Sequence, residues 1–106
     1  MNQLNNSQAS GAQAFEIIMY FGNRIYVSKQ DHDELVATVN FLLPAITRSM
    51  VFKLEDLYQP IDWQAKSTYR RQMLGRLFPL LFVQGEKLFR FADESCRTPK
   101  RYRRAN

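Results

Sequence analysis

The basic residues are the side chains of this sequence with the clearest chemistry, and they are unevenly distributed. Residues 66–104 hold eleven Lys and Arg against three acidic residues, net +8, whereas residues 1–65 hold four against seven, net −3. The segment Lys66–Arg76 contains no acidic residue. A local excess of guanidinium and ammonium groups attracts polyanions. Nucleic acid is therefore the first partner to consider.

Catalytic and metal chemistry find little support in the same sequence. His32 is the only histidine and Cys96 the only cysteine, so we expect neither a metal site nor a Cys–His nucleophile. No Gly-rich phosphate loop or Gly-x-Ser-x-Gly elbow occurs. We predict a protein that is not an enzyme and needs no cofactor.

Size and composition predict one folded domain after a short tail. The chain has 106 residues, of which 45% are hydrophobic, enough for a modest core. Residues 1–12 are mostly Asn, Gln, Ser and Gly, which predicts a flexible tail, with residues 13–106 forming the domain. A secretion signal, a membrane-length apolar run of about 20 residues and a second cysteine are all lacking, so we expect a cytoplasmic protein without membrane contact.

The basic segment is predicted to form a helix capped by Ser67 or Thr68. Its apolar stripe consists of Met73, Leu74, Leu77, Phe78 and Leu81. At 100° per residue, the outward positions are Thr68, Tyr69, Gln72, Gly75 and Arg76, with Arg71 on the flank. Arg70 projects onto the apolar side and is the weaker candidate.

These outward side chains suit contact with DNA. Arg pairs with guanine and Gln with adenine, while Thr and Tyr hydroxyls more often hold phosphates. The alternative for Arg70, Arg71 and Arg76 is a solvated face paired with acids of the preceding segment, namely Glu55, Asp56 or Asp62. For Gly75 we favour close packing of a neighbouring helix. Trp63 is expected to anchor the core.

A hairpin is predicted at the C-terminal end, from Lys87–Ala92 and Lys100–Arg104. If Phe89, Phe91 and Tyr102 face the core, strict alternation puts three arginines on the other face: Arg90, Arg101 and Arg103. At the loop and the ends of the hairpin lie Arg97, Lys100 and Arg104, where a wing meets the sugar-phosphate backbone. Lys66, directly before the helix, completes the candidate DNA-binding set.

The N-terminal half has a simpler pattern. Ala14–Phe21 and Arg24–Ser28, joined by Gly22-Asn23, predict a β-hairpin, although a helix over 12–20 stays open. A helix from about His32 to Ile46 is predicted to begin with a capping pair, Asp31 and Glu34. It should end near Pro44.

The segment between the two halves completes the order of elements. Phe52–Leu54 reads as a short strand and Glu55–Tyr58 as a short helix, with Pro60 and Trp63 in a turn. Strand, short helix, turn, longer helix and terminal hairpin form the layout of a winged helix-turn-helix, whose second helix enters the major groove. The predicted fold is therefore α+β, a winged helix-turn-helix with an N-terminal β-hairpin and helix.

The C-terminal half also resembles small winged-helix proteins of phages, plasmids and genomic islands. The resemblance rests on Phe52–Leu57, Trp63, Tyr69–Phe78, Gly85 and Pro99–Arg103. It implies a winged-helix fold and DNA binding. Pro79 departs from the pattern, because proline within a helix removes a hydrogen bond. The length of the second helix is therefore open.

The expected function is sequence-specific binding of double-stranded DNA by a transcriptional regulator of a bacterium or mobile element. A homodimer through the N-terminal hairpin and helix would raise specificity by reading two half-sites. Two alternatives stand beside this reading. One is an adaptor or inhibitor that binds an acidic protein surface. The other is an RNA-binding module in which Tyr69 or Tyr102 stacks on unpaired bases.

Overall fold

A computed structural model describes residues 16–93 and 99–106. Within these residues the protein is a small α+β fold with three α-helices and two small antiparallel sheets, which confirms the predicted class. The predicted tail, residues 1–12, and the candidate Arg97 lie outside the described residues.

The N-terminal hairpin is confirmed. Strands β1 (Ile18–Tyr20) and β2 (Tyr26–Ser28) pair antiparallel, with Tyr20 opposite Tyr26. Gly22 has a φ of 86°, and the Ile25 amide donates to its carbonyl at 2.9 Å. This bond makes Asn23 and Arg24, with φ of 50° and 62°, the two central residues, so the turn lies one residue later than the predicted Gly22-Asn23 pair. Residues 18–20 are strand rather than helix.

Helix α1 (Lys29–Leu42) begins earlier than predicted. Its cap is Ser28, whose hydroxyl accepts a hydrogen bond from the Asp31 amide at 3.0 Å, so the predicted role of Asp31 as the cap was wrong. Leu35 and Val39 of α1 are fully buried. A 3-10 turn, Leu43–Ala45, continues the helix to its end.

The middle of the chain contains one more helix than the sequence predicted. Phe52 forms a single antiparallel bridge to Tyr102, and a 3-10 turn follows at Leu54–Leu57. Residues assigned to a turn instead form helix α2 (Pro60–Gln64). Proline is favourable at the first helical position, where its missing N–H needs no partner. The predicted turn at Pro60 and Trp63 was therefore wrong.

Helix α3 (Thr68–Pro79) is capped by Ser67, whose hydroxyl accepts from the Arg70 amide at 3.2 Å. The regular helix ends at Pro79, but the chain continues as a π-helical segment, Leu80–Gly85. Because Pro79 has no N–H, the α-helical ladder is interrupted and wider turns follow. The predicted stop at Gly85 is confirmed.

Strands β3 (Phe89–Phe91) and β4 (Tyr102–Arg104) form the predicted C-terminal hairpin. The core lies where this hairpin meets α3 and the π-helical segment. The Phe78 ring centroid lies 4.7 Å from that of Tyr102, 5.4 Å from that of Phe82 and 5.6 Å from that of Phe89. Each such aromatic pair contributes roughly 0.5–1.5 kcal/mol beyond area burial. This cluster fixes the hairpin against α3.

Candidate nucleic-acid interface

One flank of α3 lines a groove, which we call the basic groove. The helix contributes Thr68, Arg71, Gln72, Gly75 and Arg76. The opposite walls come from the 3-10 turn, α2 and the start of β4, and consist of Lys53, Leu54, Glu55, Trp63, Pro99, Lys100 and Tyr102. Four of the five outward positions predicted on the second helix, the flanking Arg71 and one end of the predicted hairpin thus meet in one place.

The basic groove has a net positive charge, and a hydrogen bond holds at least one of its cations in place. Four cations line it, Lys53, Arg71, Arg76 and Lys100, against one carboxylate, that of Glu55. The Nε of Arg71 donates to the Lys66 carbonyl oxygen at 3.1 Å, which holds the guanidinium group on this flank. A guanidinium group carries five N–H donors, so four remain for a ligand.

Trp63 forms one wall of the groove while packing on its neighbours. Its ring centroid lies 5.1 Å from that of Tyr58, which is itself buried. The indole is half-buried. The predicted anchoring role is compatible with this position, and the wall it forms is rigid because Tyr58 supports it from behind.

Gly75 lies on the floor of the basic groove, and the predicted packing against a neighbouring helix was wrong. A β-carbon added at Gly75 would meet no atom within 4 Å. Glycine inside a helix is less stable than alanine by about 0.5–1 kcal/mol. Nothing in the described protein requires that loss, so the open position is available for close approach of a partner.

The other flank of α3 holds its cations against α1. The Nε and Nη2 of Arg70 donate to the two carboxylate oxygens of Asp31 at 3.0 and 2.8 Å. The Lys66 ammonium group donates to Glu34 Oε1 at 2.8 Å and lies 5.2 Å from the Tyr58 ring centroid. We call these two ion pairs, Asp31–Arg70 and Glu34–Lys66, the α1–α3 clamp.

The clamp changes the assignment of two predicted cations. Lys66 is only 5% exposed, so its prediction as a DNA contact was wrong: the ammonium group is buried and already paired. Arg70 is paired with α1, and not with the preceding segment where the alternative placed its partners. Arg70 therefore joins α3 to α1, a structural role that agrees with its predicted position on the apolar side.

Electrostatics of the clamp follow from these contacts. The hydrogen bonds from Arg70 lower the pKa of Asp31 below its ordinary value of 3.8, and they outweigh the opposing effect of burial. The same contact raises the pKa of Arg70. Burial, together with the charges of Glu34 and Asp31, raises the pKa of the Tyr58 hydroxyl. Both members of the Asp31–Arg70 pair therefore stay charged at neutral pH.

Tyr69 lies away from the basic groove. Its side chain is exposed and borders a second cavity together with Asp31, Arg70, Met73 and the N-terminal hairpin. The structure therefore groups Tyr69 with the clamp flank, although the helical projection grouped it with Gln72 and Arg76.

The three predicted arginines of the C-terminal hairpin share one face. Arg90 lies directly opposite Arg103 in the sheet. The Ala92 amide donates to the Arg101 carbonyl at 2.8 Å, so the pairing extends to the residue before β4, and alternation puts Arg101 on the same side as Arg103. Tyr102 faces the core at 2% exposure. Because Tyr102 and Lys100 line the basic groove, the face with Arg90, Arg101 and Arg103 is on the opposite side of the hairpin. We call it the outer arginine face.

Arg104, predicted as a phosphate contact, makes a structural contact in the fold. Its Nη1 donates to the carbonyl oxygens of Leu43 and Ile46 at 3.0 and 3.1 Å. Carbonyls at the end of a helix lack partners within the helix, and a nearby cation satisfies them. Arg104 therefore joins the C-terminal strand to the end of the helical segment after α1.

Lys53 is a groove residue that sequence reasoning missed. It lies just before the 3-10 turn, forms a long ion pair with Glu55 at 4.0 Å and shares the groove with Arg71 and Lys100. Nothing in its local sequence distinguishes it from a solvated lysine. Only the approach of the turn to β4 brings it to the site.

Comparisons of this chain with protein-family models, with curated proteins and with solved structures found no match. In residues 16–93 and 99–106, no helix is long and apolar enough to cross a membrane. The same residues contain no group of three or more His, Cys, Asp or Glu side chains placed to hold a metal ion.

Proposed function

We propose that this protein binds double-stranded DNA sequence-specifically, as a winged helix-turn-helix transcriptional regulator of a bacterium or mobile element. The observation that carries the proposal is the basic groove, in which Arg71, Gln72 and Arg76 of α3 face Lys100 of the hairpin. Base-reading and phosphate-binding side chains thus converge on one ligand-sized space.

The order of elements supports this architecture. Helix α2 is followed by residues 65–67 and then by α3, a spacing typical of helix-turn-helix motifs. In such motifs the second helix lies in the major groove. The β3–β4 hairpin would be the wing, with the Phe52 bridge extending its sheet by one position. The resemblance to small proteins of phages, plasmids and genomic islands points to the same class.

Each groove side chain has a defined part in the proposed contact. Arg71 and Arg76 would pair with guanine and Gln72 with adenine, and each good bidentate pair discriminates by roughly 1–3 kcal/mol. Lys53 and Lys100 lie on the walls, where they would neutralise phosphates. The open position at Gly75 lets the duplex approach the helix backbone closely.

The proposal includes a homodimer formed through the N-terminal hairpin. Among the described strands, only β2 pairs with β1, and Ile18 and Tyr20 of β1 are exposed. An exposed apolar edge is a template for pairing with an identical edge. Sedimentation equilibrium of the wild type and of Ile18→Lys tests this point: we expect a dimer for the first and a monomer for the second. Equal masses for both proteins would refute it.

Fluorescence anisotropy with labelled duplex DNA tests DNA binding itself. We expect binding that weakens steeply as salt rises, because each neutralised phosphate releases counterion. Replacing Arg71 and Arg76 together by Gln should remove the preference among sequences. The matched control is Arg24→Gln with Arg48→Gln, which removes the same charge from exposed positions outside the groove. Absence of binding by the wild type at low salt would refute the proposal.

The two alternative functions are outcomes of the same titration. An acidic protein partner remains the alternative if duplex DNA fails to bind, because the groove would suit an acidic peptide as well. For RNA binding, Tyr102 is buried and cannot stack on a base, which leaves the exposed Tyr69 as the stacking candidate. Burial also raises the pKa of Tyr102 to about 12. Titrating single-stranded RNA in the same assay would distinguish RNA binding from DNA binding.

A further inference from the structure

The outer arginine face contains an arrangement that a stable hairpin would normally avoid. Arg90 and Arg103 are direct cross-strand partners, and Arg101 follows on the same face. Like charges directly opposite each other in an antiparallel pair destabilise it. A charge arrangement that disfavours folding, with no internal compensation, is expected mainly at functional sites.

No internal compensation is present in the described residues. The ion pairs among residues 16–93 and 99–106 join other cations to Asp31, Asp33, Glu34 and Glu55, and none involves the outer arginine face. Arg103 is half-buried, and its Nε is buried without an acceptor. Arg90 and Arg101 are exposed.

This face is directed away from the basic groove. Lys100 and Tyr102, which line the groove, occupy one side of the hairpin, and Arg90 and Arg103 occupy the other. A duplex is stiff, with a persistence length of about 150 base pairs. A straight duplex held in the groove therefore leaves the outer arginine face uncovered.

We infer that the outer arginine face binds a second DNA segment, so that one protein molecule bridges two duplexes. This inference rests on the proposed function, which provides DNA as the ligand of the groove. The phosphate backbone suits the face because three arginines on one face of the hairpin offer charge without the hydrogen-bonding amides that read bases. The contact should be independent of sequence and sensitive to salt.

A two-duplex capture experiment tests the inference. One biotinylated duplex is immobilised, the full-length protein is added at saturation and the excess is washed away. A fluorescent duplex is then supplied at low salt. We expect the wild-type protein to retain the fluorescent duplex. Direct anisotropy with one duplex, measured in parallel, reports groove binding alone.

Arg90→Glu is the decisive variant because it separates folding from binding. The new carboxylate would pair with Arg103 and raise the melting temperature, so a misfolded protein cannot explain a loss. We expect capture of the second duplex to fall by about tenfold or more, while binding to a single duplex changes much less. The matched control is Arg48→Glu, the same charge reversal at an exposed turn outside the N-terminal hairpin, and it should capture the second duplex as the wild type does.

The outcomes are distinguishable. If the wild type fails to bind even one duplex, the proposed function is wrong. If it binds one duplex but captures no second, only the bridging inference is overturned. Full capture by Arg90→Glu would attribute bridging to a dimer with two basic grooves, and equal losses with Arg48→Glu would indicate a general charge effect. Either result refutes the outer arginine face as the second site.

Discussion

Two consecutive arginines of α3 have opposite environments. Arg70 donates two hydrogen bonds to the buried carboxylate of Asp31 and belongs to the clamp flank. Arg71 is held by the Lys66 carbonyl and lines the basic groove. Consecutive helical residues project about 100° apart, so one cation can join two helices while its neighbour meets solvent. A run of positive charge in the sequence is therefore not one surface.

The net charge of the C-terminal segment is larger than the charge it can offer to a ligand. The acidic residues of α1 neutralise two cations from the segment that is richest in positive charge. Of the other described cations in this segment, three line the basic groove and three form the outer arginine face. Part of the charge separation along the sequence therefore forms ion pairs that join α1 to α3.

The largest expected effect breaks the clamp flank. Arg70→Ala leaves the carboxylate of Asp31 buried without its donors, and we expect the free energy of unfolding to fall by about 2–3 kcal/mol. Urea denaturation followed by circular dichroism measures this loss. The folded fraction should still bind duplex DNA with wild-type affinity. A stable variant with lost DNA binding would reverse the assignment of the two flanks.

The groove flank should respond in the opposite way. Arg71→Ala with Arg76→Ala is expected to weaken specific DNA binding by roughly 10–100-fold, because two base contacts are removed. The free energy of unfolding should change by no more than about 0.5 kcal/mol, as for surface positions. Anisotropy and denaturation on the same sample test both statements. A large loss of stability would show that Arg71 or Arg76 also supports the fold.

Acid should destabilise the wild-type protein by protonating Asp31, whereas the variant Asp31→Asn has no carboxylate to protonate at this position. The pKa of Asp31 is lower in the folded protein than its ordinary value of 3.8, so the stability gained from ionised Asp31 is complete above that value. It is lost as the pH falls through the lowered pKa. We expect the difference in unfolding free energy between wild type and Asp31→Asn to shrink below pH 3.8. A constant difference from pH 7 to pH 2 would contradict this cause.

The smallest expected effect concerns the floor of the groove. Gly75→Ala should raise the free energy of unfolding by about 0.5–1 kcal/mol, because alanine favours the helix and its β-carbon meets no atom. We expect DNA affinity to fall at the same time, since the methyl group occupies the space left for the duplex. Thermal melts and anisotropy measure the two changes. Unchanged affinity would show that no partner approaches Gly75 closely.

Much of the local structure was predictable because its causes are local. Gly22 permits the first turn, Ser67 caps α3, and alternation around Tyr102 puts Arg101 and Arg103 on one face. Some errors were also local: Pro60 occupies the first helical position of α2, where proline is favourable, and Ser28 rather than Asp31 caps α1. The errors about which cations are available arose where the deciding contact is distant in sequence.

The sequence by itself determined the two hairpins, the presence of α1 and α3, the capping of α3 and the excess of positive charge in the C-terminal third. Only the tertiary structure decided which cations remain available. Asp31 and Arg70 are 39 residues apart, and Arg104 and Leu43 are 61 apart, yet each pair makes direct hydrogen bonds. Propensity and periodicity act within a few residues, whereas charge neutralisation depends on which surfaces the core brings together. For that reason Lys66 and Arg104 became structural, and Lys53 became part of the groove.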